Sequence, residues 1–263
     1  MNRGIQLLRM AAGARREEPS AGPVAGMALW LDAADASTLF TTDTGSTQSG
    51  DTDPVGRWED KSGNGFHAIQ PSSGARPTLT TNVINGKPVT RYSNGPWLDL
   101  DRETVGNTGL FAGPGEAFTV FAVSRVDTGQ GVILARAIGS GALRTFNLYS
   151  SNSTPGATPG IGLRGVNSIT NFAHNDGNAH IHTIRWDGSN AAAYGDGVFF
   201  SLTVGSADEN TGDRIIIGAR SNGGGFHLTG DIAEILIYDT ALSTANRQEN
   251  ETYLAAKWGI TLS

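Results

Sequence analysis

The chain has 263 residues, a net charge of −6, 36 glycines and no cysteine. Its length allows one large domain or two small ones, and the lack of cysteine excludes a disulfide framework or a thiolate metal site. An acidic chain without a long block of lysine or arginine is a poor partner for nucleic acid, and no run approaches the roughly 20 apolar residues of a membrane span.

Residues 1–22 differ in charge from the rest of the chain and predict an N-terminal arm. They carry a net charge of +2 against −8 for the remainder. Arg9 interrupts the apolar run too early for an export signal, and Ile5, Leu8 and Ala12 have the spacing of an amphipathic helix. We expect an anchoring arm and linker that docks on a partner subunit, with a disordered tail as the alternative. The predicted docking residues are Ile5, Leu7, Leu8, Arg9 and Met10.

Residues 23–263 are predicted to form one all-β domain. Short runs of β-branched and aromatic residues alternate with turn residues, which is typical of a sandwich or barrel. The clearest strands lie at 26–33, 87–93, 117–126, 131–138, 143–150, 160–165, 180–186 and 213–220. Within the hairpin at 191–204, Asp196 and Gly197 suit a type I′ turn.

One helix is predicted at the C-terminal side of the domain. Ser243 is a favourable N-cap and Gly259 a natural C-terminal stop. The helical spacing predicts a buried face and a solvated face. The residues expected to be buried are Ala245, Tyr253, Ala256 and Trp258, and those expected to be solvated are Arg247, Gln248, Glu251 and Lys257.

A resemblance to a known family covers residues 26–262. Five segments carry it in order: "LWLDAADASTL", "WEDKSGNGFHA", "WDGSNAAAYGDGV", "IGARSNGGGFHLTGDIAEILIYDTALS" and "YLAAKWGI". They resemble the laminin-G-like jelly-roll domains of the concanavalin A-like lectin/glucanase superfamily found in bacterial surface and phage virion proteins. The resemblance implies two antiparallel sheets packed face to face, with the first strand near the last. The same fold hosts lectins, hydrolases, adhesins and virion proteins, so it does not imply one function.

Residues 230–243 contain three acids that raise the question of glycoside hydrolysis. Regular alternation places Asp231 and Asp239 on one face of the strand, with Ile235 and Ile237, and Glu234 on the other. Asp231 and Asp239 are about 26 Å apart at ~3.3 Å per residue, whereas two catalytic carboxyls lie ~5 to 10 Å apart. They cannot form a catalytic pair, and Glu234, if buried, needs a hydrogen-bonding or cationic partner.

A second group of acids has the alternation that glucanases of this superfamily use. Asp99, Asp101 and Glu103 share one strand face if the strand continues that far. Three interpretations stay open: a solvated strand end, a Ca²⁺ site built from these oxygens, or a catalytic site. No other cofactor is predicted.

Histidine and serine chemistry receive less support from the sequence. His180 and His182 have the spacing of two ligands on one strand face, but without a third ligand we expect cross-sheet packing with Ile184 and Trp186. No serine has the surroundings of a nucleophile elbow.

Aromatic and amide side chains near loops are the candidate carbohydrate-binding residues. Aromatic faces stack on sugar rings, and planar polar groups bind hydroxyls. The candidates are Trp58, Tyr92, Asn94, Trp97, Tyr149 and Asn152.

The sequence therefore predicts a non-enzymatic surface protein of a phage-type virion, of the head or tail fibre or decoration kind. We expect the jelly roll to bind a host-surface glycan for adhesion and host attachment, and the arm to join it to other virion subunits in an oligomer. The predicted location is the virion surface, with an extracellular or cell-surface location as the alternative. The alternative functions are a purely structural subunit and a glycoside hydrolase.

Overall fold

The computed structural model describes residues 22–100, 110, 116–126, 131–137, 144–151, 160–163, 166–168, 174–202, 214–220 and 225–263. The predicted docking residues Ile5, Leu7, Leu8, Arg9 and Met10 lie outside the described residues, as do Asp101, Glu103 and Asn152. The division into an arm and a domain at residue 22 therefore stays a prediction.

Short extended segments make up most of the described chain. The strands are β1 Leu29–Asp32, β2 Leu39–Phe40, β3 Arg57–Trp58, β4 Ala68–Ile69, β5 Thr78–Ile84, β6 Lys87–Ser93, β7 Leu98–Leu100, β8 Phe118–Arg125 and β9 Gly131–Ala137. They continue with β10 Arg144–Ser151, β11 Gly160–Leu163, β12 Val166–Ser168, β13 Ala179–Trp186, β14 Ala191–Gly195, β15 Val198–Ser201, β16 Arg214–Ile217 and β17 Thr229–Tyr238. The helical segments are α1 at Thr244–Trp258 and two 3₁₀ turns at Ala36–Thr38 and Ser73–Ala75.

The strands form two antiparallel sheets. Sheet I has the order β15-β14-β13-β8-β17-β6-β5, and β1 also pairs with β17. Sheet II has the order β12-β11-β10-β9-β16-β7-β4-β3-β2. The predicted all-β sandwich with one C-terminal helix is confirmed, and the first strand does pair with the last.

A β-bulge in β17 divides this long strand into two parts. The register against β8 shifts between Ile232 and Glu234. Before the bulge β17 pairs with β6, and after it with β1. The extra residue puts Ala233 and Glu234 on the same face, because a bulge opposes two residues of one strand to one of its partner. The regular alternation expected from the sequence is therefore wrong at this point.

Two apolar layers hold the fold together. The first lies between the sheets and includes Leu29, Ile235 and Ile237 of sheet I and Leu134 and Ile215 of sheet II. The second lies between the outer face of sheet I and α1. It includes Val89, Phe121, Val123, Ile181, Leu236, Tyr238, Leu254 and Trp258.

The caps of α1 agree with the sequence, and its buried face agrees in part, since Tyr253 and Trp258 are buried as predicted. The Ser243 hydroxyl accepts a hydrogen bond from the Asn246 amide, and Gly259 ends the helix with φ +70°. Ala245 and Ala256 are exposed, whereas Arg247 and Glu251, expected in solvent, are buried. They form an ion pair with each other, and the Thr183 hydroxyl donates to Glu251 at 3.0 Å. The ion pair and this hydrogen bond offset part of the penalty of burying the two charges.

Among the described residues, none of the helices combines the length and the apolar character that crossing a membrane requires.

Candidate functional site

A groove crosses the outer face of sheet I beyond the end of α1. It encloses about 360 Å³ and is lined by Arg91, Tyr92, Ser93, Arg125, Thr229, Gly230 and Asp231. Its polar centre is built by three neighbouring strands, since Asp231 of β17 is paired with Arg91 of β6 and with Arg125 of β8. We call this surface the arginine groove.

Strand alternation explains why the two arginines share one face. Val89 and Val123 lie beneath α1, and residues two positions further along each strand point to the same side. These residues are Arg91 and Arg125, which the helix does not cover. The arginine groove therefore continues the outer face of sheet I past the helix.

The ion pairs in the groove are unequal. Arg91 Nε donates to Asp231 Oδ1 at 2.7 Å and its terminal nitrogen to Oδ2 at 3.0 Å, a bidentate pair. Arg125 Nε lies 3.6 Å from Asp231 Oδ2. The bond to Asp231 raises the pKa of Arg91. One carboxylate thus faces two guanidinium groups, and the groove keeps a net positive charge.

The two arginines are more exposed to solvent than the acid that they contact. The Asp231 side chain is 4% exposed, whereas those of Arg91 and Arg125 are 40% and 38% exposed. The buried acid thus contacts two guanidinium groups that are partly exposed to solvent. Donors held in this way can bind the oxygens of a carboxylate or of sugar hydroxyls.

Close packing beneath the groove fixes its floor. Tyr92 lines the groove although it is only 1% exposed, and its ring lies against Gly218. A methyl group added at Gly218 would lie 2.4 Å from the Tyr92 ring. Asn94, two residues further on, is exposed and adopts φ +57°.

The other aromatic candidates for carbohydrate binding lie elsewhere. Trp58 is completely buried in the core between the sheets, and Tyr149 is 6% exposed and packs with Val132 and Ala135. As placed, neither can stack on a sugar ring, which corrects the prediction for both. Trp97 is half-buried, and Asn152 lies outside the described residues. Of the five candidates that the structure describes, Tyr92 is the one that lines the groove, and at 1% exposure its ring belongs to the floor and offers no stacking surface.

The predicted calcium site is represented by one described residue. Asp99 lies in β7, is buried, and forms an ion pair with Arg214. Asp101 and Glu103 lie outside the described residues, so the Ca²⁺ site stays a prediction. An arginine on Asp99 already supplies the positive charge that a calcium ion would provide.

Glu234 has the partners that a buried acid requires. It is completely buried beneath α1. Its Oε1 accepts from Trp30 Nε1 at 2.8 Å and from the Tyr253 hydroxyl at 3.1 Å. Its Oε2 accepts from Trp258 Nε1 at 2.7 Å and lies 2.7 Å from Lys257 Nζ. Burial raises the pKa of Glu234, and the charge of Lys257 opposes this shift. Glu234 is therefore a structural acid that joins β1, β17 and α1.

The sequence reasoning missed both arginines of the groove. A signal was present: each arginine follows a buried valine two positions earlier on the same strand face, Val89 before Arg91 and Val123 before Arg125. The two arginines form a polar site only together with Asp231. Asp231 lies between them because β17 pairs with both β6 and β8, which the sequence alone does not show.

Comparison with known proteins extends the fold assignment. No protein-family model matches the sequence, and no characterised protein matches it in a sequence search. Solved structures are similar in fold. A GH54 α-L-arabinofuranosidase soaked with 4-nitrophenyl α-L-arabinofuranoside matches with TM-score 0.63 and 13% identity over 88% of this chain and 63% of its own.

Two further similar structures differ in how much of their chain is matched. Domain 4 of AbnA, a GH43 extracellular arabinanase from Geobacillus stearothermophilus, in complex with arabinotriose, matches with TM-score 0.58 and 13% identity over 87% of this chain and 98% of that chain. Trypanosoma rangeli sialidase with the inhibitor DANA matches with TM-score 0.55 and 15% identity over 91% of this chain. This chain spans about a third of the sialidase, 34% of its length. At these identities the likeness establishes the β-sandwich fold.

These comparisons correct two predictions from the sequence. The prediction of a non-enzymatic virion surface protein is wrong, because the similar structures are glycoside hydrolases or a domain of one. The prediction that the protein is not an enzyme is contradicted by the same structures. The alternative named from the sequence, a glycoside hydrolase, agrees better with these structures.

Proposed function

We propose that this chain acts in glycoside hydrolysis and that its sandwich binds the carbohydrate substrate in the arginine groove. One observation carries the proposal: an isolated arabinanase domain, matched over 98% of its length, was solved in complex with arabinotriose. That structure supports oligosaccharide binding by a sandwich of this size. The whole protein is proposed to be a glycoside hydrolase, as the similar sialidase and arabinofuranosidase are.

The chemistry of the groove suits carbohydrate recognition. Sugar hydroxyls both donate and accept, and the groove offers guanidinium donors next to a carboxylate acceptor. Its volume of about 360 Å³ lies within the usual range for small-molecule sites. The net positive charge favours sugars that carry a carboxylate, such as sialic acid, over neutral pentoses.

Most glycoside hydrolases use two carboxyls, one of which has a raised pKa. Among the described residues, burial raises the pKa of Glu234 and of Glu251, and both are enclosed beneath α1. We therefore assign substrate binding, and no hydrolytic residue, to the part of the chain that the structure covers.

The family, the location and the partners of the protein are also part of this proposal. The laminin-G-like jelly-roll family remains our proposed family within the sandwich fold. An extracellular location is proposed because the similar arabinanase is an extracellular enzyme by its description. Docking of residues 1–22 on a partner subunit and the oligomeric state remain predictions.

Calorimetric titration of the full chain with arabinotriose and with sialyllactose tests the proposal. We expect binding to one of them, and a loss of at least tenfold in affinity for Arg91→Ala and Arg125→Ala. Lys87→Ala is the matched control, since it removes a positive charge from the far end of β6. Sugar release from polymeric substrates tests hydrolysis in parallel. If the wild type binds neither sugar and releases none, the proposal fails, and if Lys87→Ala weakens binding as much as Arg91→Ala, the groove is not the site.

A further inference from the structure

A second polar cluster lies on the inner face of sheet I, opposite to the arginine groove. His180 is the second residue of β13, and Asp196 occupies the turn between β14 and β15. His174 comes from the segment before β13. The ligand atoms of these three side chains all lie within 4.8 Å of one another. We call these residues the histidine cluster.

Backbone pairing places Asp196 next to β13. The Asp196 amide donates to the Ile181 carbonyl at 3.0 Å, and the Ile181 amide donates to Asp196 Oδ1 at 2.8 Å. The turn has φ +48° at Asp196 and +85° at Gly197, as the predicted type I′ turn requires. One carboxylate oxygen is thus held by the strand, and the other, Oδ2, points to the two imidazoles.

The distances between the three side chains are close to those between neighbouring ligands of a metal ion. His180 Nδ1 lies 2.7 Å from Asp196 Oδ2, and His174 Nε2 lies 3.7 Å from the same oxygen. Zinc ligands lie about 2.0 to 2.2 Å from the ion, so neighbouring ligands of a tetrahedral site are roughly 3.3 Å apart. The distance from His180 to Asp196 is shorter than this ligand separation, and the distance from His174 to Asp196 is longer.

The outer contacts of His180 also match those of a metal ligand. Its Nε2 lies 3.0 Å from Asp176 Oδ1, while Nδ1 faces Asp196. Metal-binding imidazoles commonly donate their second ring N–H to a carboxylate, which fixes the ring and increases its basicity. Asp176 is in position to do this.

The two imidazoles are stacked in parallel, with ring centroids 3.9 Å apart and planes inclined by 4°. The stacking brings both imidazoles to the same carboxylate, that of Asp196. The side chains of His174, His180 and Asp196 are 11%, 13% and 16% exposed, which leaves a path for an ion.

We propose that the histidine cluster binds one divalent transition-metal ion, Zn²⁺ by its donor set, through His174 Nε2, His180 Nδ1 and Asp196 Oδ2. Two nitrogens and one carboxylate oxygen leave the fourth tetrahedral position to a water molecule or a ligand oxygen. The sequence suggested His180 and His182 and lacked a third ligand. The fold supplies His174 and Asp196 instead, and directs His182 Nε2 to the Ser124 hydroxyl at 2.9 Å. The site does not depend on the proposed carbohydrate function.

Calorimetric titration of the untagged, chelator-treated full chain with Zn²⁺ tests the proposal. One equivalent should bind, and Co²⁺ in its place should give the visible absorption of a tetrahedral site. We expect His174→Ala to weaken Zn²⁺ binding at least 100-fold and Asp176→Asn to weaken it 10- to 100-fold. His227→Ala, which removes an imidazole outside the cluster, should leave the affinity unchanged.

Circular dichroism of each variant separates loss of the site from loss of the fold. Asp176→Asn serves as the second variant, because the Asp176 side chain is 44% exposed and its replacement is isosteric. The proposal is overturned if the wild type binds no Zn²⁺, or if folded His174→Ala and His227→Ala bind it equally well.

Discussion

Glu234 and Trp258 are joined by a hydrogen bond of 2.7 Å from the indole Nε1 to the carboxylate Oε2, across the contact between β17 and α1. The same carboxylate accepts from Trp30 and Tyr253. Replacing Glu234 by alanine leaves these donors and Lys257 without their shared acceptor. We expect the free energy of unfolding to fall by about 3 to 5 kcal/mol, the usual cost of breaking a buried charged pair. Urea denaturation measures it.

The control for this prediction is Glu249→Ala on the same helix. Glu249 is exposed, so the variant should unfold within about 0.5 kcal/mol of the wild type. Equal effects of the two substitutions would show that the Glu234 network does not stabilise the helix contact.

The pH dependence of unfolding reports on Glu234 itself. Burial raises its folded pKa above the ordinary value of 4.5. A raised pKa means that the folded state holds the proton more tightly than the unfolded state, so this stabilisation is present below pH 4.5 and is lost as pH rises through the folded pKa. The stability of the wild type relative to Glu234→Gln should therefore be greatest near pH 4 and decrease towards pH 7. An increase over this range would show that the four donors, rather than burial, determine the pKa.

Gly218 supports the floor of the arginine groove by having no side chain. Its φ is +83°, and an added methyl would lie 2.4 Å from the Tyr92 ring. Gly218→Ala should cost about 2 to 4 kcal/mol, from the left-handed backbone together with overpacking. Gly74→Ala is the matched control, because nothing lies within 4 Å of a methyl there. Thermal unfolding of both variants compares them, and similar melting temperatures would contradict the proposed clash.

Ser243 caps α1 through the hydrogen bond that its hydroxyl accepts from the Asn246 amide at 3.2 Å. Ser243→Ala should reduce the free energy of unfolding by about 1 kcal/mol, whereas Ser243→Asp, which keeps an acceptor, should retain most of it. Chemical denaturation of the two variants measures both free energies of unfolding. If Ser243→Asp lost as much stability as Ser243→Ala, the loss would not come from the capping hydrogen bond.

Local rules were sufficient for several parts of the fold. Ser243, Gly259 and the Asp196-Gly197 turn were predicted correctly, because caps and tight turns depend on a few neighbouring residues. The alternation of β13 was also correct, with Ile184 and Trp186 in the core between the sheets and Ile181 beneath the helix.

Features that depend on pairing between distant segments were missed. The bulge at Ala233 put Asp231 and Ala233 on the face of Glu234, away from Ile235 and Ile237, and no period-2 pattern reveals it. Arg247 and Glu251 looked solvated because each is charged, but they are buried as partners of each other. Asp196 lies beside Ile181 because of the register between β13 and β14, which pairs His182 with Gly195, and the sequence analysis predicted no register for these two strands.

The pairing of β1 with β17 has a consequence for the order of events during synthesis. Trp30 and its acceptor Glu234 are 204 residues apart in the chain. At about 5 to 20 residues per second, β1 leaves the ribosome roughly 10 to 40 s before its partner strand exists. Until then the backbone edge of β1 that faces β17 and the Trp30 indole N–H lack their native partners, and the central contacts of sheet I cannot form. The nascent chain must pass this interval without aggregating, so slowed translation before β17 should reduce the yield of folded protein more than a delay after it.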